Sequence, residues 1–528
     1  MLSLPPHAHR VPVEKPDICR EAGWTVGLLG LAVALATACG SSSPLAADEG
    51  VKPGVRIEIS PSSVEIEPSQ SVQFEAVMIN SHGDEQDFPD AAMKWSATGG
   101  TICSTGRYVA GTRAGEFKVT ARKGSVSGYA TVKIQLPAGN DGSGGDAGDN
   151  QSGSGDNPTP LEGVRIEVGE SIQSYVDSNP AGTTFVLAAG RHMKQSVAPK
   201  DGDEFVGEAG AVLDGGGVVE HAFRSKASKV TIRDLVIEKY APAPSDGVIH
   251  AVDADGWVVE DTEIRYNVAS VQHPGCASSS GCGGMGIKMG DRMVVRDNYL
   301  HHNDQYGVGG SGLNLLVEGN EIAFNNYRDA VRTGWGAGGT KFVKTSGLVV
   351  RGNYVHDNHG NGLWTDIDNV GTLVEKNRVE NNYRQGIFHE ISHAAVIRNN
   401  TVRGNGLKAG GDWLYGAGIL VAHSDNVEVY GNVVEGNSNG IVGIQQNRDN
   451  PPGSHRLRNL WVHDNTIELG SGSAGVGKRG FAVYDPFTSS ANNRFDDNEY
   501  RLRSPDSRSF RWAGRKLTLA EWQALGHD

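Results

Sequence analysis

Positive charge is in short supply in this chain. Lys and Arg number 48 against 62 Asp and Glu, leaving a formal net charge of −14 over 528 residues. Such a surface repels nucleic-acid phosphates and argues against that class of partner. A polyanionic sugar is not excluded, because the field of a binding site is local and can oppose the net charge. Aromatic residues are also few, 7%, whereas glycine reaches 72. That balance suits a turn-dense β protein. Long apolar runs are absent but for one, the 15 residues from Trp24 to Ala38. The run is short for a bilayer span, which needs about 20 residues. With Arg10, Lys15 and Arg20 upstream it has the layout of a secretory signal. Length alone allows two to four domains.

Cysteine is scarce too, at five. The apolar run ends in Ala36-Thr37-Ala38-Cys39, followed by Gly40 and three serines. This resembles a bacterial lipobox, with Ala36 where Leu is usual. The resemblance implies a signal peptide over residues 1–38 and acylation of Cys39. It also implies export to the bacterial cell envelope or surface, with membrane attachment through the lipid. Cys19 would leave with the signal, and Cys103, alone in its domain, is expected as a buried thiol. Cys276 and Cys282 lie six apart in the loop HPGCASSSGCGG and are expected to form a disulfide clip. Zinc held with His273 is the alternative.

Composition divides the rest. Residues 39–50 read as a tether. Residues 51–137 alternate apolar and polar positions, as in Val55-Arg56-Ile57-Glu58-Ile59 and Ala130-Thr131-Val132-Lys133-Ile134, and form a separate β domain. The segments Lys94-Trp95-Ser96-Ala97 and Gly106-Arg107-Tyr108-Val109 resemble the bacterial Ig-like group 2 family, which implies a β-sandwich with Trp95 buried in it. Residues 138–162 carry five acids and no base among Gly and Ser, an extended linker.

From residue 163 onward a ladder of asparagines takes over. Asn298, Asn320, Asn353, Asn377, Asn400, Asn432, Asn465 and Asn498 each close one motif of apolar pair, polar pair, Asn (VVRDN, LVEGN, VVRGN and so on), at gaps of 22 to 33 residues. A second asparagine follows each of the first six by five residues, from Asn303 to Asn437. A base period of 22–24 residues with insertions indicates a solenoid whose repeats must stack to bury their apolar faces. Short β-branched runs broken by Gly and Asn make the repeat β, with Asn at the bends. The Leu-x-x-Leu-x-Leu signature of a leucine-rich horseshoe is missing. The pattern resembles the right-handed parallel β-helix of pectin-lyase-like proteins over about residues 163–500. The expected architecture is therefore all-β: a solenoid over 163–528, capped by helices near Ser171–Val176 and Trp522, behind an Ig-like sandwich. A monomer is expected.

Insertions in solenoids gather on one face, and that face often binds. Here they flank two short coils beginning at Asn353 and Asn377, whose strands should floor a cleft. The floor aligns Lys341 or Lys344 with Asp366 and Glu390, places Trp364 over Phe388, and stacks Ile367 on Ile391. A register slip of one residue would invert every side chain. Lys341, Lys344, Asp366, Glu390, His389 and His393 are the candidate catalytic groups, although alternation equally allows His389 to point inward. Trp335, Trp364, Tyr383, Arg384 and Trp413 are candidate sugar-binding residues. Asp366, Asp368 and Glu390 are candidate ligands for Ca²⁺, a hard ion that favours carboxylate oxygens. Two chemistries fit an acidic, uronate-containing polysaccharide. A lyase or epimerase needs a base and a cation beside the carboxylate. A hydrolase needs two carboxyl groups, for which Asp366 and Glu390 stand on adjacent strands. The Asn-Thr-Asp and Gly-His-Gly signatures of galacturonases are absent, and Tyr484-Asp485-Pro486-Phe487 has Phe where alginate epimerases carry His. β-Elimination by a lyase is the expected activity. A non-catalytic adhesin is the competing class.

Overall fold

The structure is a computed structural model. It describes residues 56–67, 70–79, 85–86, 94–97, 100–102, 106–110, 115–123, 126–135, 162–269, 282–409, 413–447 and 455–528. The readings placed on residues 1–50 (Cys39 included), Cys103, residues 138–161, His273 and Cys276 lie outside them. Cys282 is disulfide-bonded, so it has no thiolate to offer zinc.

The chain divides into two compact units, Met1–Gly153 and Ser154–Asp528. In the first, short strands pair mostly antiparallel. Arg56–Ser60 runs beside Glu75–Ile79, and Gly115–Lys123 lies between Val126–Ile134 and Lys94–Ala97. Alternation along these strands buries Val119 and Val132 completely, together with Phe74 and Tyr108. Trp95, expected at the centre of this core, is only partly buried and packs against it. Phe74 and Tyr108, with ring centroids 6.1 Å apart, hold the centre instead.

The second unit is a parallel β-helix. Its first face carries Gly247–His250, Met285–Met289, Val308–Leu313, Thr340–Ser346, Leu363–Asp366, Ile387–Glu390 and Ala417–Ala422, each parallel to the next. A second face follows round a bend, and a 12-stranded sheet forms the third. Apolar residues fill the bore, from Ile232 and Val259 through Val350 and Ile397 to Phe495.

Both asparagine ladders are continuous. Asn298 Nδ2 donates to Asn320 Oδ1 at 2.9 Å, and the same bond repeats through Asn353, Asn377, Asn400, Asn432, Asn465 and Asn498 to Asp528. The second ladder starts one coil earlier than expected, at Asn267. Each amide also serves backbone groups of neighbouring coils, as Asn353 does for Val317 O. Buried polar atoms at the bends are thereby satisfied, where an orphan would cost about 1–3 kcal/mol. Glycine lines the bend beside the second ladder. A Cβ on Gly362 would lie 2.7 Å from Val379 and 2.9 Å from the Asn382 amide.

Caps close the bore. Helix Ile172–Ser178, capped by the Ser171 hydroxyl, buries Ile172 and Val176 at one end. At the other, Thr518 and Glu521 form a capping box on helix Leu519–Gln523, and Trp522 is fully buried on Phe510 and Phe495.

Candidate functional site

The site is built on the outward residues of the first face. Inward positions are Phe223, Ile249, Ile287, Val308 and Phe342, all buried. Their neighbours point the other way, and the register puts Arg224, His250, Lys288, Gly309 and Lys341 in one row. Parallel strands lie about 4.8 Å apart, so this is a ladder of basic side chains along the solenoid, with a gap at Gly309. The row sets three permanent cations and a histidine on a chain of net charge −14, with Asp246 beside Lys288 and Asp366 beside Lys341.

Histidines and an aspartate sit at the upstream end. Asp246 Oδ1 accepts from His250 Nδ1 at 2.5 Å and from the Gly247 N–H at 2.8 Å. The carboxylate accepts only, so His250 Nδ1 carries hydrogen and the lone pair of the neutral ring is on Nε2. Burial would raise the Asp246 carboxyl, but the His250 hydrogen bond and the His250 and Lys288 charges hold it well below the usual range. His221 is fixed in the same tautomer: Nδ1 donates to Gly247 O at 2.9 Å, and Nε2 accepts from Arg224 Nη1 at 2.9 Å. Burial pushes this imidazole below its ordinary value. The two rings meet edge to face, 5.5 Å between centroids.

The downstream end contains the sequence-derived residues. Lys341 Nζ lies 2.8 Å from Asp366 Oδ2, donates to Trp335 O at 3.0 Å, and stands 3.7 Å above the Trp364 ring. Glu390 is the strand neighbour of Asp366, and Trp364 stacks on Phe388 at 5.5 Å, as expected. Tyr306 is buried, and burial together with the Asp366 charge holds its phenol well above the ordinary value. Buried polar atoms gather on these coils without a hydrogen bond from the chain: Gln305 Oε1, Tyr306 Oη, Asn361 Oδ1, Trp364 Nε1, Asp366 Oδ1 and Gln385 Oε1. Buried polar atoms normally find a partner, so this cluster is set up for water or for ligand hydroxyls.

Several expected residues stand elsewhere. The register pairs Phe342 with Thr365, so Leu363 and Thr365 face inward. Ile367 does not stack inside; it and Asp368 adopt left-handed conformations at a bend, and Ile367 is exposed. His389 points into the bore and shares a 2.8 Å hydrogen bond with Thr365 Oγ1. It lines a small internal cavity with Phe342, Leu363 and Val374. Burial drives its imidazole down to about 3, so it is a neutral core residue and not a groove base. Trp364 is 3% exposed, because Trp413, Leu414 and Tyr415 fold over Trp364, Phe388 and Leu420 in a second apolar cluster. The downstream floor is therefore roofed, and neither Trp364 nor the half-buried Trp413 offers an open stacking surface. Trp335 is exposed on the one-turn helix Thr333–Gly336. Tyr383 packs edge-on to His359 at 4.4 Å. Arg384 is half-buried, and burial lowers its guanidinium. Lys344 is exposed on a left-handed residue at the strand bend.

The expected Ca²⁺ ligands do not converge. Asp366 is bound to Lys341, whereas Asp368 turns away to His455 at 2.9 Å. Among the described residues, Asp368 falls in a group with His393 and His455, and neither Asp366 nor Glu390 belongs to a cluster able to hold a metal.

Residues 248–434 match the family model described as right handed beta helix region. No curated protein matches the chain. Among solved structures, the chain is similar to the A-module of the Azotobacter vinelandii mannuronan C-5 epimerase AlgE4. Identity is 14% over 59% of this chain and 93% of that one, with a TM-score of 0.38. It is also similar to DFA-IIIase from Arthrobacter chlorophenolicus A6 (12%, 64% and 84%, 0.39). A third is the GH136 lacto-N-biosidase from Eubacterium ramulus (13%, 58% and 63%, 0.38). These likenesses concern the fold.

Proposed function

We propose that the first face binds an acidic, uronate-containing polysaccharide and removes the proton alpha to a uronate carboxylate. The observation that carries this reading is the basic row Arg224, His250, Lys288 and Lys341 with the Asp246–His250 pair built into it. The cations neutralise the substrate carboxylate and the charge that develops when its alpha carbon is deprotonated. His250, oriented by Asp246 through Nδ1, offers Nε2 as base. Lys341, already donating to Asp366 and Trp335 O, acts as a cation and not as a base. In β-elimination the C–H electrons form the new double bond, the glycosidic C–O bond breaks, and the leaving oxygen takes a proton. In epimerisation a proton returns to the opposite face instead. Elimination is the activity favoured here. Hydrolysis fits less well: of its expected carboxyl pair, Asp366 and Glu390, Asp366 is already engaged by Lys341 at 2.8 Å.

Reaction of the full chain with a panel of polyuronates in D₂O tests this. Elimination gives ultraviolet-absorbing unsaturated ends, and epimerisation gives deuterium at the alpha carbon without chain cleavage. Reducing ends alone would replace the reading with hydrolysis. Affinity without turnover would make the protein an adhesin. Membrane attachment through Cys39 is a separate proposal, tested by release of Cys39→Ser into the soluble fraction.

A further inference from the structure

We propose a transition-metal site of the zinc type at Asp368, His393 and His455. One ring nitrogen of each histidine and one Asp368 oxygen lie within 4.8 Å of one another. His393 Nδ1 contacts Asp425 Oδ1 at 2.6 Å, and Asp425 is also its direct partner in the parallel ladder. The acceptor-only carboxylate puts hydrogen on Nδ1 and leaves the His393 lone pair on Nε2. A carboxylate behind a histidine is the usual device for orienting a metal-binding imidazole. Arg458 fixes Asp425 in turn, at 2.9 Å from Nη2 and 3.2 Å from Nε, so its charge is already compensated.

The third ligand comes from far along the chain. His455 lies 87 residues beyond Asp368 and its Nε2 is 2.9 Å from Asp368 Oδ1. The His393 and His455 rings are stacked, 5.2 Å between centroids. His455 is nearly buried, His393 partly so, and Asp368 is exposed, which gives the ion an entry side. Two imidazoles and one carboxylate suit Zn²⁺, Co²⁺ or Ni²⁺ and are poor for Ca²⁺. Three protein ligands leave a tetrahedral ion one position for water or a substrate oxygen. The second histidine cluster is no equivalent: His221 and His250 are surrounded by Arg224 and Lys288, which repel a cation.

The test is Zn²⁺ titration of the chelator-stripped full chain, by calorimetry and by the shift in melting temperature. One ion per chain and a rise in melting temperature are expected, with neither for Ca²⁺. His455→Ala and Asp368→Asn should each lower affinity at least tenfold and abolish the thermal shift. Asp425→Asn should lower affinity about tenfold to a hundredfold. His250→Ala should leave affinity unchanged. Circular dichroism confirms that each variant is folded, and His455→Gln serves where His455→Ala is not. Undiminished Zn²⁺ affinity in folded His455 and Asp368 variants would overturn the site, as would wild-type protein that ignores Zn²⁺ or prefers Ca²⁺.

Discussion

The two histidine–aspartate clusters of the solenoid are made from the same side chains and face opposite electrostatic surroundings. At His221, Asp246 and His250 the partners are Arg224, 2.9 Å from a ring nitrogen, Lys288, 3.7 Å from the carboxylate, and the exposed Glu220, 3.7 Å from His221 Nε2, two cations to one further acid. At Asp368, His393 and His455 the second carboxylate, Asp425, stands behind the pair with Arg458 bound to it. The first arrangement invites an anion and the second a cation. Residue type alone therefore says little about what a cluster binds. The charges one strand away decide it.

The sharpest way to break this comparison is to remove one histidine from each cluster. His250→Ala should cost about 10²–10⁴-fold in turnover if Nε2 is the base. The melting temperature should also fall, by several degrees, because the mostly buried Asp246 loses its histidine hydrogen bond and keeps the Gly247 N–H and Lys288 at 3.7 Å. Zn²⁺ affinity should stay as it was. Full turnover in His250→Ala, with loss in His393→Ala, would transfer the chemistry to the other cluster.

How much of this could be read beforehand differs between the parts. The asparagine ladder was legible because a bend amide has one job and repeats it at every coil. The stack of Trp364 on Phe388 and the strand pairing of Asp366 with Glu390 were legible for the same reason: equal spacing from a shared landmark. Ile367 was misplaced because a bend ends the strand one residue early, and left-handed Ile is not announced by its identity. The upstream half of the site was missed since the ladder begins only at Asn267, leaving Arg224, His221 and His250 without a landmark. The signal was present as Phe-Arg, Ile-His and Ile-Lys at matching strand ends. The roof formed by Trp413 to Tyr415 and the reach of His455 to Asp368 depend on loop paths, which carry no period.

A third histidine supplies the control whose surroundings act on it chiefly through burial, with the opposed charges of His393 and Asp425 behind. His389 is 1% exposed, and burial holds it near 3 against an ordinary 6.5. The unfolded chain takes up a proton below pH 6.5, whereas the folded chain resists until about 3. Stability is therefore complete above pH 6.5 and is lost as pH falls through that window, by about 3–4 kcal/mol at pH 4 and about 5 kcal/mol over the whole of it. His389→Leu should flatten this dependence in denaturant titrations at pH 7 and pH 4. Equal pH slopes in both proteins would mean that the ring is protonated in the bore.

Asp304 carries the opposite sign and a smaller effect. It is 1% exposed, and burial raises its carboxyl to about 6, with the Arg328 charge and the Ala269 N–H pulling it back. Folding is penalised once the unfolded carboxyl ionises, so this group's contribution is complete near pH 4 and declines as pH rises to about 6. The loss is about 3 kcal/mol. Asp304→Asn should gain on the wild type at pH 7 and not at pH 4, in the same denaturant measurement. A gain confined to pH 4 would place Asp304 among the paired acids of the groove.

The smallest expected effect separates the two cations that flank Gly309. Lys288 is partly exposed beside Asp246, whereas Lys341 is bound to Asp366, to Trp335 O and to the Trp364 ring. If the row neutralises a substrate carboxylate, Lys288→Ala should raise KM on the order of tenfold, the worth of one charge-assisted contact. The increase should shrink as salt screens the wild-type groove. Lys341→Ala leaves Asp366 buried and unpaired, so it should lower the melting temperature as well as turnover. Lys341→Arg should recover more of the stability than of the activity. A Lys288 variant with unchanged KM and salt response would confine the anion site to Arg224 and His250, and the functional row would then end at the upstream cluster.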